Sequence, residues 1–251
     1  MSFTFSHPAL VLPLTGLPKR WRSSTGLVIG SMVPDFEKFL NMSEHDPHSH
    51  TWWGIFYFNL PLALLLSFLF HLVVRNPLVR NLPAFLRLRF NKYTGFDWVV
   101  YFREHYVIIT LSILLGTLSH LVLDVLTHSP GHRKELLPFM ELGTGELTKP
   151  IRQQMSGVWS QLTVSVAGKL VIGWFILQLP KQKELPQRDK GTSWYWIVVG
   201  VVVIFIVGIR SQIGEGIKPN PYHPSIVVLS AVLISLVVSP VLLSIRHHYK
   251  Q

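Results

Sequence analysis

The sequence predicts an all-α fold, a multi-pass transmembrane helical bundle of about five spans behind an N-terminal re-entrant or interfacial segment. Three observations lead there. Charged residues make up 14% of the chain, where a soluble domain carries about 25%, so groups to cover a water-facing surface are scarce. Hydrophobic residues make up 49% and gather into blocks. The basic residues behind a net charge of +10 fall mostly between those blocks, as juxtamembrane loops do.

The first fifty residues hold two apolar stretches, 9–17 and 26–33, split by Lys19, Arg20 and Arg22. Neither reaches the roughly 20 helical residues that cross a hydrocarbon core of about 30 Å, so both are expected to lie at the interface or re-enter. A polar loop, 41–50, leads to the first full block, 51–74. A basic, aromatic connector with Pro77 and Pro83 fills 75–103, and the second block runs 106–126. The third, 158–179, carries Lys169 near its middle, and 180–191 reads as a solvated loop. The last two blocks are 194–213, with a Trp194-Tyr195-Trp196 interfacial belt and Arg210 near its other end, and 225–245. Residues 1–160 are read as the site-bearing membrane domain, and 161–251 as accessory transmembrane helices of the same structural unit. The balance of basic residues slightly favours the face bearing 75–103 as cytoplasmic.

A basic chain can seek nucleic acid or anionic lipid. The basic run Arg87-Leu88-Arg89 is too short to argue for nucleic acid, so the expected partners are membrane lipids; nothing in the sequence names a protein partner. There is no cysteine, which removes disulfides and thiolate chemistry and leaves histidine and carboxylate as the metal ligands available. The first fourteen residues lack a basic n-region and meet Pro8 and Pro13 early, so they do not read as a signal peptide.

The strongest functional signal lies in the second block. His120, Asp124 and His128 are spaced i, i+4, i+8, which puts them on one helix stripe. An ionised Asp inside a span costs about 2.5–3.5 kcal/mol. A divalent cation would compensate it, and so would a His–Asp hydrogen-bond network inside the bundle. His50 stands at the start of the first block. If the first two spans are antiparallel, it shares a membrane face with Asp124 and His128. Asp35, after Pro34, and His7, before Pro8, belong to the segment tethered to that face. Either could instead be a plain helix-end residue. His45 and His48 read as solvated, His71 as interfacial, and His132, His223, His247 and His248 as loop or tail residues.

Phe5-Ser6-His7-Pro8, Gly30-Ser31-Met32-Val33-Pro34-Asp35, His48-Ser49-His50-Thr51 and Ser119-His120, with Asp124 and Thr127-His128, follow one another in that order. The series resembles a bacterial family of multi-pass membrane proteins catalogued as a domain of unknown function. It is similar to the metal-dependent hydrolases of bacterial inner membranes, the LexA-regulated YdjM type, and more faintly to zinc-dependent phospholipases C. The resemblance covers about the first 160 residues. It implies a plasma-membrane location, and His7, Asp35, His50, His120 and Asp124 as ligands of a divalent metal, zinc first. The chain departs from the hydrolase pattern in carrying Glu37 where a second Asp is usual, and in lacking an Arg in Asp46-Pro47-His48-Ser49-His50.

The enzyme expectation is metal-assisted hydrolysis, with His128 or Glu37 as general base. Arg152, beside Gln153 and Gln154, would hold an anionic group, and the location at the bilayer suggests a lipid or lipid-linked phosphate. Two other classes remain open. An ion or proton transporter would also carry intramembrane His, Asp and Lys169, and a structural membrane protein would use the His/Asp network only to tie helices together.

Overall fold

In the computed structural model, residues 4–127, 158–182, 192–213 and 222–248 are described; they are helical throughout their regular elements, with no strand among them. The N-terminal part is a series of short pieces. A 3-10 turn at Thr4–Ser6 leads into α1 (Pro8–Val11), α2 follows at Ser24–Gly30, and a 3-10 turn at Val33–Asp35 runs into α3 (Phe36–Asn41). The long helices are α4 (Ile55–Asn81), α6 (Trp98–Thr127), α7 (Val158–Gln178), α8 (Thr192–Gln212) and α9 (His223–His248), with the short α5 (Ala84–Phe90) between α4 and α6.

Four of these are long and apolar enough to cross a membrane: Ile55–Asn81, Trp98–Asp124, Thr192–Gln212 and His223–Ser244. In α7 the apolar stretch, Leu162–Gln178, is shorter. Surface chemistry agrees with a bilayer solvent. Leu65, Leu111, Val201, Ile204 and Phe205 are all exposed, Ile204 to 74%. Ser67, Ser112, Thr117, His120 and Asp124 are buried on the same helices. Apolar groups outside and polar groups inside is the arrangement lipid selects.

Helix limits differ from the apolar blocks in instructive ways. The first helix starts four residues late, because Gly54 must pass His48 closely enough that a Cβ there would strike the His48 carbonyl. It then runs on through Arg75 to Asn81 despite two prolines. A proline removes a helix donor. Here a wide π turn precedes each one, Ile55–Asn59 before Pro61 and Phe70–Val74 before Pro77. The second helix begins at Trp98, capped by Asp97, whose Oδ1 accepts from the Val100 amide at 3.0 Å. Its backbone leaves helical values at His105, φ −131° and ψ 21°, beside the polar Arg103-Glu104 pair where the apolar block was expected to begin.

The chain forms two compact units, each woven from separate stretches. The first comprises Met1–Glu37, Asp46–Ser67 and Tyr101–Gln178. Within it, Gly26 and Gly30 of α2 face α6 one turn apart, as in a small-xxx-small contact. A Cβ at Gly26 would sit 2.8 Å from the Ile109 carbonyl, and one at Gly30 would collide with the Ile113 backbone. Gly116 of α6 answers them, since a Cβ there would lie 2.5 Å from the Leu27 carbonyl. Backbones this close allow polar ties: the Ser23 amide to Ser112 Oγ at 2.8 Å and Thr117 Oγ1 to the Gly30 carbonyl at 3.2 Å. On another side, Gly168 of α7 lets the Ser6 turn approach, its absent Cβ being 2.7 Å from Ser6 Cβ.

The second unit comprises Lys38–His45, Phe68–Val100 and Leu179–Gln251. Within it α8 packs along α9, which buries Ile226 and Val227 near its start and the small Ser230, Ala231, Ser235 and Ser239 further on. His71, expected at an interface, is buried with its ring stacked 4.4 Å from that of Trp98, and Arg75 Nη1 lies 2.9 Å from its Nδ1. His223, expected in a loop, opens α9 and is buried.

Candidate metal centre

Five buried residues from four stretches of the first unit meet at one point. His7 sits between the 3-10 turn and α1, where Pro8 starts the helix without needing an amide donor. Asp35 closes the turn Val33–Asp35. His50 ends the loop before α4, and His120 and Asp124 occupy successive turns of α6. The side chain of Asp124 is the hub: its Oδ2 lies 3.3 Å from both His50 Nε2 and His120 Nε2, and its Oδ1 3.5 Å from His7 Nε2. Asp35 stands slightly further out, Oδ1 3.8 Å from His50 Nε2 and Oδ2 3.9 Å from His120 Nε2. The His7 and His120 rings stack at 3.8 Å.

Each imidazole is held from behind. His120 Nδ1 lies 2.8 Å from the Ser31 carbonyl, and His7 Nδ1 3.3 Å from the Thr4 carbonyl. His50 Nδ1 lies 2.7 Å from Asp46 Oδ2 and 3.0 Å from Ser49 Oγ. A carbonyl can only accept, so Nδ1 carries the hydrogen in His7 and His120; the Asp46 carboxylate beside His50 Nδ1 favours the same tautomer there, and in a neutral ring Nε2 then holds a lone pair. With the rings neutral, three Nε2 lone pairs turn toward carboxylate oxygens, an arrangement that a proton or a metal cation would bridge. His120 shows it most sharply: its ring is fully buried and its Nε2 makes no hydrogen bond among the described residues.

Spacing fits a metal as that cation. Ligands about 2.0–2.2 Å from a tetrahedral zinc stand about 3.3–3.6 Å from one another, and the contacts of Asp124 fall at 3.3–3.5 Å. Two overlapping groups are close enough to share an ion, His7 with Asp35 and His120, and His50 with His120 and Asp124. Electrostatics point the same way. Burial alone would lower the pKa of His7, yet the Asp124 and Asp35 carboxylates and the Thr4 carbonyl raise it above its ordinary 6.5. A field that favours imidazolium also favours a metal ion.

A family model described as a domain of unknown function, DUF4184, matches residues 1–245. The chain belongs to that family. Among curated proteins and among solved structures, none matches this DUF4184 chain. No relationship to YdjM-type hydrolases is shown by these comparisons.

Of the residues expected at the site, His7, Asp35, His50, His120 and Asp124 come together in the DUF4184 chain. His128, Arg152 and Gln154 lie outside the described residues. Glu37 is buried, and its Oε2 accepts from the amides of His48 at 3.1 Å and Ser49 at 2.7 Å, so it anchors the loop that presents His50. Asn59 helps from the π turn of α4, its Nδ2 donating to the Ser49 carbonyl at 2.6 Å. His45 and His48 are exposed, as expected.

Three contributors were not anticipated. Asp46 stands behind His50, four residues before it in the polar loop. Thr4 Oγ1 donates to Asp35 Oδ2 at 2.7 Å across 31 residues of chain, which no local pattern signals. The Ser31 carbonyl has no sequence signature either, though the Gly26/Gly30 pair that brings it to His120 does.

Proposed function

We propose that this DUF4184 protein is a metal-dependent hydrolase embedded in the bacterial plasma membrane, acting on a lipid or lipid-linked phosphate at the bilayer face. His7, Asp35, His50, His120 and Asp124 would hold a divalent metal, zinc being the ion best suited to nitrogen and oxygen donors at these spacings. One observation carries the reading: three imidazoles, each with Nδ1 committed to an outside acceptor, turn Nε2 toward two buried carboxylates. Acceptors behind metal-bound histidines fix tautomer and ring orientation in this way.

When bound, such an ion polarises a phosphoryl or carbonyl oxygen and lowers the pKa of water. The protein's own residues would do the rest. Thr4 orients Asp35, Asp46 and Ser49 orient His50, and Glu37 holds the backbone at His48 and Ser49. His128, four residues beyond Asp124 in sequence, is assigned as the general base, and Arg152 with Gln154 as the group that receives the anion. Glu37 is assigned to the loop, not to proton transfer, because one of its oxygens already accepts two amides.

The test is elemental analysis of the purified full chain, with phosphate release from lipid and lipid-linked phosphates assayed before and after chelation. The proposal expects stoichiometric metal, hydrolysis that chelator abolishes and zinc restores, and loss of both in Asp124→Ala. A protein that holds no metal and is equally stable in chelator is a proton-bridged His/Asp network, for which the raised His7 pKa is the supporting observation, and the hydrolase reading then falls. Bound metal without hydrolysis of any phosphate substrate would remove the enzyme and leave the site.

A further inference from the structure

Between its two neighbouring candidate spans the second unit carries a stretch with an unusual charge pattern. From Arg75 to Phe96 the basic residues are Arg75, Arg80, Arg87, Arg89 and Lys92, and no acidic residue occurs. The middle of that stretch is α5, and it is well fixed. The Leu88 carbonyl accepts from the Gln182 amide at 2.9 Å, and Asn91 Nδ2 donates to Gln182 Oε1 at 3.0 Å. Arg89 is turned back on its own helix, with Nη1 donating to the Phe85 carbonyl at 2.7 Å.

Arg87 is different. It is only 4% exposed, and its Nε and Nη1 are buried without a hydrogen-bond acceptor among the described residues. A guanidinium cannot shed its proton, and a buried charge left without partners costs several kcal/mol. The same stretch carries exposed Phe85, Tyr93 and Phe96, aromatics of the kind that sit at headgroup level. A connector between two membrane-crossing helices, rich in cations and aromatics and holding an unsatisfied planar donor, suits an oxyanion with several acceptor oxygens.

We propose that α5 carries an anion-binding site for a phosphate group, centred on the Arg87 guanidinium, supplied by a lipid headgroup or by free phosphate. It does not depend on the hydrolase reading, since none of the metal-centre residues takes part.

The probes are inorganic phosphate at constant ionic strength and phosphatidylglycerol in a neutral detergent, with diacylglycerol as the phosphate-free lipid. The full chain is titrated with each while Tm is followed. Wild type should show a saturable rise in Tm with at least one phosphate-bearing probe and none with diacylglycerol. A rise with inorganic phosphate assigns the site to the free ion, and a rise with phosphatidylglycerol alone assigns it to the headgroup. Arg87→Met should weaken the apparent affinity by about tenfold or more, and Arg87→Lys, which keeps charge and loses the planar donor array, should also weaken it. Arg80→Met, at an exposed position, should bind as wild type. Should Arg87→Met fail to fold, Arg87→Lys decides alone. No saturable rise with either phosphate probe, an equal rise with diacylglycerol, or wild-type affinity in Arg87→Lys overturns the proposal.

Discussion

A neutral imidazole has one donor and one acceptor nitrogen, and the acceptors placed behind it decide which nitrogen faces the site. Asp46 performs that task for His50 at 2.7 Å. Replacing Asp46 with Asn keeps the volume but weakens the hold on the Nδ1 hydrogen, so metal affinity should fall by about 10–100-fold while the fold survives. Competition with a fluorescent chelator would measure this, and unchanged affinity would mean that Asp46 is only a loop carboxylate. Acid should act on the same residues. Metal and proton compete for His7 Nε2, and the carboxylates raise the pKa of His7 above 6.5. Metal affinity should therefore fall on acidification as protons take His7 Nε2, and chelator competition at a series of pH values would measure it; an affinity independent of pH would remove His7 from the ligand set. Much of this centre was legible at the residue scale, because His120 and Asp124 are polar residues in an apolar helix. Thr4 and Ser31 were not, because one reaches across 31 residues and the other acts through a backbone carbonyl.

Helices bring those residues together, and glycine sets how closely. Gly26 and Gly30 let α2 lie against α6 with Gly116 opposite, and that contact is what carries the Ser31 carbonyl to within 2.8 Å of His120 Nδ1. A methyl group at Gly30 has no free direction, since the Ile113 backbone fills the space. Gly30→Ala should therefore push α2 outward, cost about 1–3 kcal/mol through overpacking, and lower metal occupancy although no ligand is changed. Gly200→Ala in α8 is the matched control, because a Cβ there meets nothing within 4 Å, and its Tm should stay level or rise slightly. Equal effects of the two substitutions would show that the α2–α6 contact does not position the site. The spacing of Gly26 and Gly30 was in the sequence, but α2 has only seven residues. Hydropathy of so short a segment announces an interfacial piece and says nothing of which helix it meets. The first apolar block ends at residue 74, yet the helix passes Pro77 to Asn81, and the π turn before that proline accommodates the missing donor.

At the scale of the whole molecule, the five residues of the candidate centre gather at one point within one unit, while Lys169 of α7 is exposed at the surface. That surface holds the last test, because the fold is sensible only if lipid covers it. Leu65 is 58% exposed and Ile204 74% exposed, far more than scattered apolar residues on a water-facing helix would suggest for two such uniformly apolar neighbourhoods. The chain has no cysteine of its own, so single cysteines can be placed without background. In intact membranes, cysteine at Leu65 or Ile204 should resist a membrane-impermeant maleimide and react only after denaturation in detergent. Cysteine at the exposed loop position Glu44 should react in intact membranes from one side. Were Leu65 and Ile204 to label as fast as Glu44, water would face those helices. The buried Asp124 would then carry no membrane penalty, and the physical argument for a compensating cation would have to rest on the His120 geometry alone.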